Sequence, residues 1–314
     1  MVLSDGFVAA AIAALGVATA LGFSSFWLLA LLGHFRRHVA GLALILASLA
    51  LLATWPLALR ILACGGALAI CAFNVMWMRR AMPASRAGEG DGIVLRVIFA
   101  NVLDSNEEFG LLIDWVKTEK ADILMASEVT DRWVAELRAL EPQLPYGHGA
   151  RPGEVAILSR LPIAELQDDP ALSFARLATV EIATPAGPVQ LVAVHPRVPT
   201  RGTKLAAMNA RVIAAVGSLA SNARGGVIVA GDFNSTPWSP ALRQTVAEAR
   251  LTYGHGAQKP TWPTWLPVWL GLPLDHILVG GGCTIIALRH GPHIGSDHRP
   301  ILADICYFPS FPAP

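Results

Sequence analysis

The sequence predicts an α/β domain of two packed β-sheets flanked by helices, preceded by an N-terminal transmembrane helical segment. Three observations point there. The first third is nearly free of charge, the rest alternates short β-branched apolar runs with amphipathic stretches, and polar residues recur where those runs end. The 314 residues are 54% hydrophobic and 15% charged, with a mean hydropathy of +0.49. Soluble domains carry roughly 25% charge, so a purely cytosolic enzyme is disfavoured. Four cysteines in this length exclude a disulfide scaffold.

Phe7 to Leu32, Val39 to Leu59 and Ile61 to Met78 contain no charged residue. A helix needs ~20 apolar residues to cross a bilayer core, where no water satisfies unpaired backbone groups. The sequence therefore predicts three transmembrane helices within residues 1–80. Trp27, Trp55 and Trp77 sit near the ends of the runs, where indoles favour the interface. Residues 81–92 (AMPASRAGEGDG) read as a flexible linker, residues 93–307 as the folded domain and 308–314 as a tail.

Charge is distributed unevenly. Residues 1–89 carry six arginines against Asp5 and Glu89, a net +4, leaving residues 90–314 at −3. Arg36 and Arg37 fall between the first two runs, and Arg79, Arg80 and Arg86 follow the third. The positive-inside rule then puts the N-terminus outside and everything after Arg79 in the cytoplasm.

Within the domain, Ile93 to Val102, Ala121 to Ala126, Val155 to Leu158, Ala178 to Ile182, Val189 to Val194 and Gly225 to Ala230 read as strands. So do Ile277 to Val279, Thr284 to Leu288 and Ile301 to Ile305. Glu108 to Thr118, Arg132 to Leu140 and Lys204 to Leu219 have helical spacing. Many short strands with few helices between them favour two packed sheets over a simple parallel wind.

The chemistry gathers at strand ends. Asn101 closes the first strand, Glu128 follows ILMAS, His195 follows LVAV, and Gly-Asp-Phe-Asn (231–234) follows GGVIVA. Asp275 and His276 precede ILV, and Ser296-Asp297-His298-Arg299-Pro300 precedes the last strand. Any one of these reads equally as a turn or a solvated loop. Strand ends opening at one sheet edge are nevertheless where sites are built. Asp232 and Asn234, two apart, face the same way in extended chain, whereas His276 faces away from Asp275.

That ordered set, together with GEVAILSRLPI at 153–163, resembles the endonuclease/exonuclease/phosphatase family over about residues 93–307. The resemblance implies a four-layer α/β sandwich with its site at one edge. It also implies a metal-dependent phosphodiesterase or phosphomonoesterase that works by in-line attack of water. Mg²⁺ is the implied cofactor, with Mn²⁺ as the alternative. Glu128 is then the main metal ligand, with Asn101 beside it and Asp297 joining. His298, oriented by Asp275, acts as general base or stabilises phosphoryl charge, and Asp232 and Asn234 position the nucleophile. His195 contacts the phosphate and helps protonate the leaving group. Whether Asp232 or His298 is the base stays open. Tyr146 lies where some family members place a phosphate-contacting tyrosine. The helical segment is not part of the family's common core and suggests a bacterial, membrane-tethered branch, multi-pass in the inner membrane.

Arg197 and Arg201 are candidate phosphate contacts, or simply part of a solvated loop. A domain at −3 with four lysines lacks the basic footprint of a nucleic-acid binder, so a nuclease is the less favoured reading. TWPTWLPVWLGLPL (261–274) either packs under the sheet or dips into lipid headgroups beside Asp275. The sequence thus points to a phosphoester at or near a membrane surface. A catalytically inactive, tethered binding module is the non-enzymatic alternative, and it is disfavoured because Glu128 and His298 are both present.

Overall fold

The computed structural model describes residues 5–24, 26–85, 92–149, 154–166, 175–200 and 202–308. The Ala- and Leu-rich N-terminal sequence forms helices α1 (Asp5–Leu21) and α2 (Trp27–Ala30), then a 3-10 turn (Leu31–Phe35). Helices α3 (Arg36–Leu52) and α4 (Leu57–Arg80) follow. Contacts between α1 and α4 advance together along both helices. Gly16 lies against Ile70, Asn74 Nδ2 donates to Thr19 Oγ1 at 3.1 Å, and Phe23 meets Trp77 edge-on. The two helices are therefore parallel, and α3 returns beside them.

The sequence predicts three spans; two helical stretches, Trp27–Leu52 and Leu57–Arg80, are long and apolar enough to cross a membrane, while α1 is shorter. The first uncharged run does not form one helix. It turns after Leu21, and Gly22 approaches Gly33 so closely that a Cβ on Gly22 would stand 2.9 Å from the Gly33 nitrogen. Large apolar side chains such as Ile45, Leu52, Ile61 and Leu62 remain exposed on α3 and α4. A surface of that kind calls for a lipid or protein cover.

Arg36, read from the sequence as a loop charge, is only 2% exposed. Its guanidinium donates to Asn74 Oδ1 at 3.0 Å and stands 4.1 Å from the Phe23 ring centre and 5.2 Å from that of Trp77. A buried cation needs such partners. Arg36→Ala is expected to destabilise the protein by about 2–4 kcal/mol, measured as an earlier thermal transition in detergent. An unchanged transition would contradict this role.

The expected tether at 81–92 is docked where it is described. Ala81 is buried, Met82 packs on the domain core, and Ser85 and Pro83 exchange backbone hydrogen bonds with Tyr253. Edge pairing thus overrides a Gly- and Pro-rich composition. Residues 86–91 lie outside the described residues.

The remaining chain runs β1 (Ile93–Asn101), α5 (Phe109–Glu119), β2 (Ile123–Val129), α6 (Asp131–Leu137), β3 (Tyr146–His148), β4 (Glu154–Ser159) and β5 (Ile163–Glu165). It continues with β6 (Leu177–Thr184), β7 (Gly187–Val194), α7 (Thr203–Ser221), β8 (Gly226–Asp232), α8 (Pro240–Glu248) and β9 (Thr252–Tyr253). Strands β10 (Asp275–Gly280), β11 (Cys283–His290) and β12 (Ile301–Tyr307) complete it. Two six-stranded mixed sheets form, ordered β11-β12-β1-β2-β4-β3 and β5-β6-β7-β8-β10-β9. The pairs β1–β2 and β7–β8 are parallel, each closed by a helical crossover.

The layering follows from which face of each strand is apolar. Leu95, Phe99, Val180, Leu191 and Ile228 meet between the sheets. Ile98 and Leu124 face α5 and α6, and Val192 and Val229 face α7 and α8. The result is the helix–sheet–sheet–helix order predicted. The crossovers also decide where a site can form. The C-terminal ends of β1, β2, β7 and β8, the start of β10 and the loop before β12 all reach one edge, because β10 and β12 run antiparallel to β8 and β1.

Candidate active site

At that edge the scattered polar residues converge. Asn101 ends β1, and Glu128 lies beside it near the end of β2, where a bulge between Ser127 and Val129 interrupts the ladder. Glu128 has φ 63°, a left-handed conformation costly for a non-glycine residue. Bulge and turn together re-aim its carboxylate. Asn101 Nδ2 donates to Glu128 Oε1 at 3.0 Å and to Asp232 Oδ2 at 3.1 Å, so one amide joins acids from both sheets. Asn101, expected as a metal ligand, therefore presents its NH₂ to the carboxylates, while its oxygen accepts from Leu103 N at 3.1 Å.

Asp232 closes β8 opposite Asp275 on β10. Its Oδ1 accepts from Asn234 N at 2.8 Å, a turn that puts Asn234 at φ 48°. Asn234 Nδ2 in turn donates to the Pro196 carbonyl at 2.9 Å, tying the β8 loop to the one after β7. Buried behind Asn101, Asp232 has its carboxyl pushed above the usual range by desolvation.

His298 Nδ1 lies 2.8 Å from Asp275 Oδ2, and its Nε2 lies 3.6 Å from Asp232 Oδ2. Burial alone would depress the imidazole, but the Asp275 and Asp232 carboxylates outweigh it and raise the pKa to about 10. Ser296 holds this loop, donating to the Asn101 carbonyl at 2.8 Å and accepting from His298 N at 3.0 Å. His195 Nε2 stands 3.6 Å from Glu128 Oε1 and 3.7 Å from Asp232 Oδ2. Burial pushes its imidazole down to about 4, so the ring meets the two carboxylates without a charge of its own.

Other expected residues are placed differently. Asp297 lines the cleft, but its Oδ2 accepts from Trp262 Nε1 at 2.9 Å, and it is not among the clustered ligand atoms. Tyr146 is exposed on β3, level with Ser159 and so with Ile123, the start of β2 and the end away from Glu128. It does not line the cleft. Arg197 does, and Arg201 lies outside the described residues. His276 is buried, its Nε2 against the Ser235 carbonyl at 2.9 Å, on the face away from the site as expected.

Sequence reasoning missed Arg176 and the helical contribution. Arg176 lines the cleft because its carbonyl accepts from His195 N at 2.8 Å. Its only signal is its position just before β6, the neighbour of β7. Leu31, His34 and Phe35 also line this cleft of about 690 Å³. Thr236, two residues past Asn234, donates its N–H to His34 Nδ1 at 3.2 Å. Trp238 Nε1 donates to the His34 carbonyl and Trp77 Nε1 to the Trp238 carbonyl.

The donor set fits a hard divalent cation. Ligand atoms of Glu128, His195 and Asp232 lie within 4.8 Å of one another, and two carboxylates on one amide call for positive charge. Two carboxylates and an imidazole, with room left for a phosphate, suit a divalent cation.

The sequence profile of the endonuclease/exonuclease/phosphatase family matches residues 98–298. No relative among curated proteins matches the sequence. The structure is similar to an endonuclease/exonuclease/phosphatase from Beutenbergia cavernae, with TM-score 0.56 and 16% identity, covering 68% of this chain and 72% of that one. It is also similar to D. rerio TDP2 humanized by 14 mutations, with TM-score 0.56 and 17% identity over 68% and 98%. A beta toxin from Staphylococcus aureus with bound magnesium ions gives TM-score 0.50 and 16% identity over 68% and 99%. Identities this low speak to the fold.

Proposed function

This chain belongs to the endonuclease/exonuclease/phosphatase family and is by that membership a metal-dependent phosphoester hydrolase; we propose that it is membrane-anchored and acts on a phosphoester at the membrane surface. The observation that carries this reading is the meeting of Asn101, Glu128, His195, Asp232, Asp275 and His298 at one sheet edge that the N-terminal helices abut. Residues 1–80 form the anchor, with the catalytic domain in the cytoplasm of a bacterial cell.

A bound Mg²⁺ would neutralise the phosphate and polarise its oxygens. Glu128 and Asp232, whose ligand atoms cluster with that of His195, are the carboxylates that would hold it. His298, whose pKa the Asp275 and Asp232 carboxylates raise to about 10 and whose Nε2 faces Asp232 from 3.6 Å, stabilises charge on the transferring phosphoryl group. Asp232, beside Glu128 on the Asn101 amide and 3.6 Å from His298, orients the attacking water, whose proton passes to the departing ester oxygen. The neutral His195 ring and Asn234 orient the phosphate, and Arg176 and Arg197 add charge at the rim. Water adds to phosphorus in line with the ester oxygen, whose bond to phosphorus breaks.

Trp265 and Trp269 are 73% and 65% exposed. Their loop touches the helical segment through Leu270, whose carbonyl lies 3.2 Å from His38 Nε2. Of the two alternatives for this loop, insertion into headgroups suits these two indoles, while Trp262 packs on Asp297. Replacing Trp265 and Trp269 by serine is expected to reduce turnover of vesicle-borne substrate about tenfold. Turnover of a soluble phosphodiester should be affected far less, and equal loss on both would reject the idea.

The direct test is the detergent-solubilised protein with Mg²⁺ or Mn²⁺ against DNA, RNA, phospholipids and inositol phosphates. EDTA-sensitive hydrolysis of a lipid phosphate supports the reading. Preference for DNA or RNA would make it a nuclease, and inertness across the panel a binding module.

A further inference from the structure

The catalytic cleft is not built by the α/β domain alone. One wall carries Glu128, Asp232, His195 and His298; another comes from the 3-10 turn, through Leu31, His34 and Phe35. His34 turns its Nδ1 to Thr236, so what this wall offers the cleft is mainly apolar, and Leu272 and Leu274 extend it. The wall is fixed to the domain through Trp238 and Trp77 as well. Phe35 is 43% exposed, and Leu28 and Phe26, a few residues earlier in the chain, are exposed as well.

Charge narrows the ligand further. The lining holds four carboxylates (Asp104, Glu128, Asp232, Asp297) against Arg176, Arg197 and the His298 imidazole, whose pKa is raised to about 10. Among the described residues, that balance suits a single phosphate compensated by a metal better than a polyanionic strand.

We infer that the substrate is an amphipathic phosphoester whose phosphate meets the catalytic wall and whose hydrocarbon chain lies along Leu31 and Phe35. This rests on the phosphoesterase reading above and names its substrate class and a specificity element. The membrane helices therefore do more than tether: they complete the substrate site.

The test uses two diesters with the same leaving group, methyl p-nitrophenyl phosphate and hexadecyl p-nitrophenyl phosphate. Both are presented to the full-length protein in one detergent with Mg²⁺. Water attacks phosphorus in each, and p-nitrophenolate leaves. The wild-type ratio of kcat/KM, hexadecyl over methyl, is expected to exceed about tenfold, since burying the chain adds binding that the methyl ester lacks. Leu31→Asp and Phe35→Ser should each lower that ratio about tenfold, chiefly through KM for the hexadecyl ester. Leu111→Ser, at an exposed leucine of α5 outside the cleft, should leave it unchanged. A wild-type ratio near one, a ratio insensitive to Leu31 and Phe35, or faster cleavage of a single-stranded oligonucleotide would overturn the inference. Failure to hydrolyse either diester would instead sink the phosphoesterase reading itself.

Discussion

His298→Ala is expected to lower kcat by about 10²–10⁴ with little change in KM, measured on a soluble chromogenic phosphodiester at saturating Mg²⁺. The argument is electrostatic. His298 is buried, hydrogen-bonded to Asp275 at 2.8 Å and directed at Asp232 from 3.6 Å, so its positive charge sits where negative charge accumulates in the transition state. Its pKa, held at about 10, fixes the pH dependence. A histidine raised in the fold stabilises it fully below its unfolded value of about 6.5, and that contribution is lost as pH rises through about 10. Activity that needs the imidazolium therefore persists above neutrality and falls on the alkaline side. A cation held by Glu128 and Asp232 brings that fall to lower pH. In Asp275→Asn the main raising partner is gone while burial remains, so the alkaline fall moves down further still. The double variant should be no worse than His298→Ala, because the two residues act as one unit. Additive losses, or an alkaline limb unmoved by Asp275→Asn, would exclude this role.

Much of this site was legible because its residues sit where buried strands stop. GGVIVAGDFN announces a strand by its unbroken apolar run and a site by the abrupt Asp and Asn after it, and β8 ends at Asp232. The same logic located Asn101, Glu128, His195 and His298. It failed where position depends on register rather than local pattern. Tyr146 falls on a three-residue edge strand whose pairing with β4 carries it to the wrong end of the sheet. The edge strands β5 and β9 are likewise too short to show a period of two. Helix α8 opens on Pro240 and mixes polar residues among Leu242 and Val246, so its apolar stripe is thin. The helical segment was read by composition as an independent anchor. No periodicity in the sequence encodes that Trp77 would reach Trp238, that His34 would meet Thr236, or that Arg36 would leave the loop for Asn74. Those contacts span 38 to 202 residues of sequence and exist only once both parts have folded.

Glu128→Gln is expected to abolish Mg²⁺-dependent turnover, by about 10³-fold or more, since the metal supplies several kcal/mol of charge stabilisation. Stability should change in opposite directions with and without the ion. In wild type two carboxylates, Glu128 and Asp232, share one amide donor on Asn101. Without a cation they repel, and burial has already raised the carboxyl of Asp232. Gln keeps the volume at a backbone position with φ 63° and removes one of the two charges. In EDTA the variant should therefore melt no earlier than wild type. Mg²⁺ at about 100 times its Kd adds roughly 2.7 kcal/mol to wild type and raises its melting temperature, but it should add almost nothing to the variant. The two melting curves thus exchange order when the ion is added. A variant that still gained stability from Mg²⁺ would show that the cation binds elsewhere. One that melted far earlier in EDTA would show that Glu128 supports the fold rather than the metal. Because this comparison needs no substrate, it separates the metal site from every question about which phosphoester is cleaved.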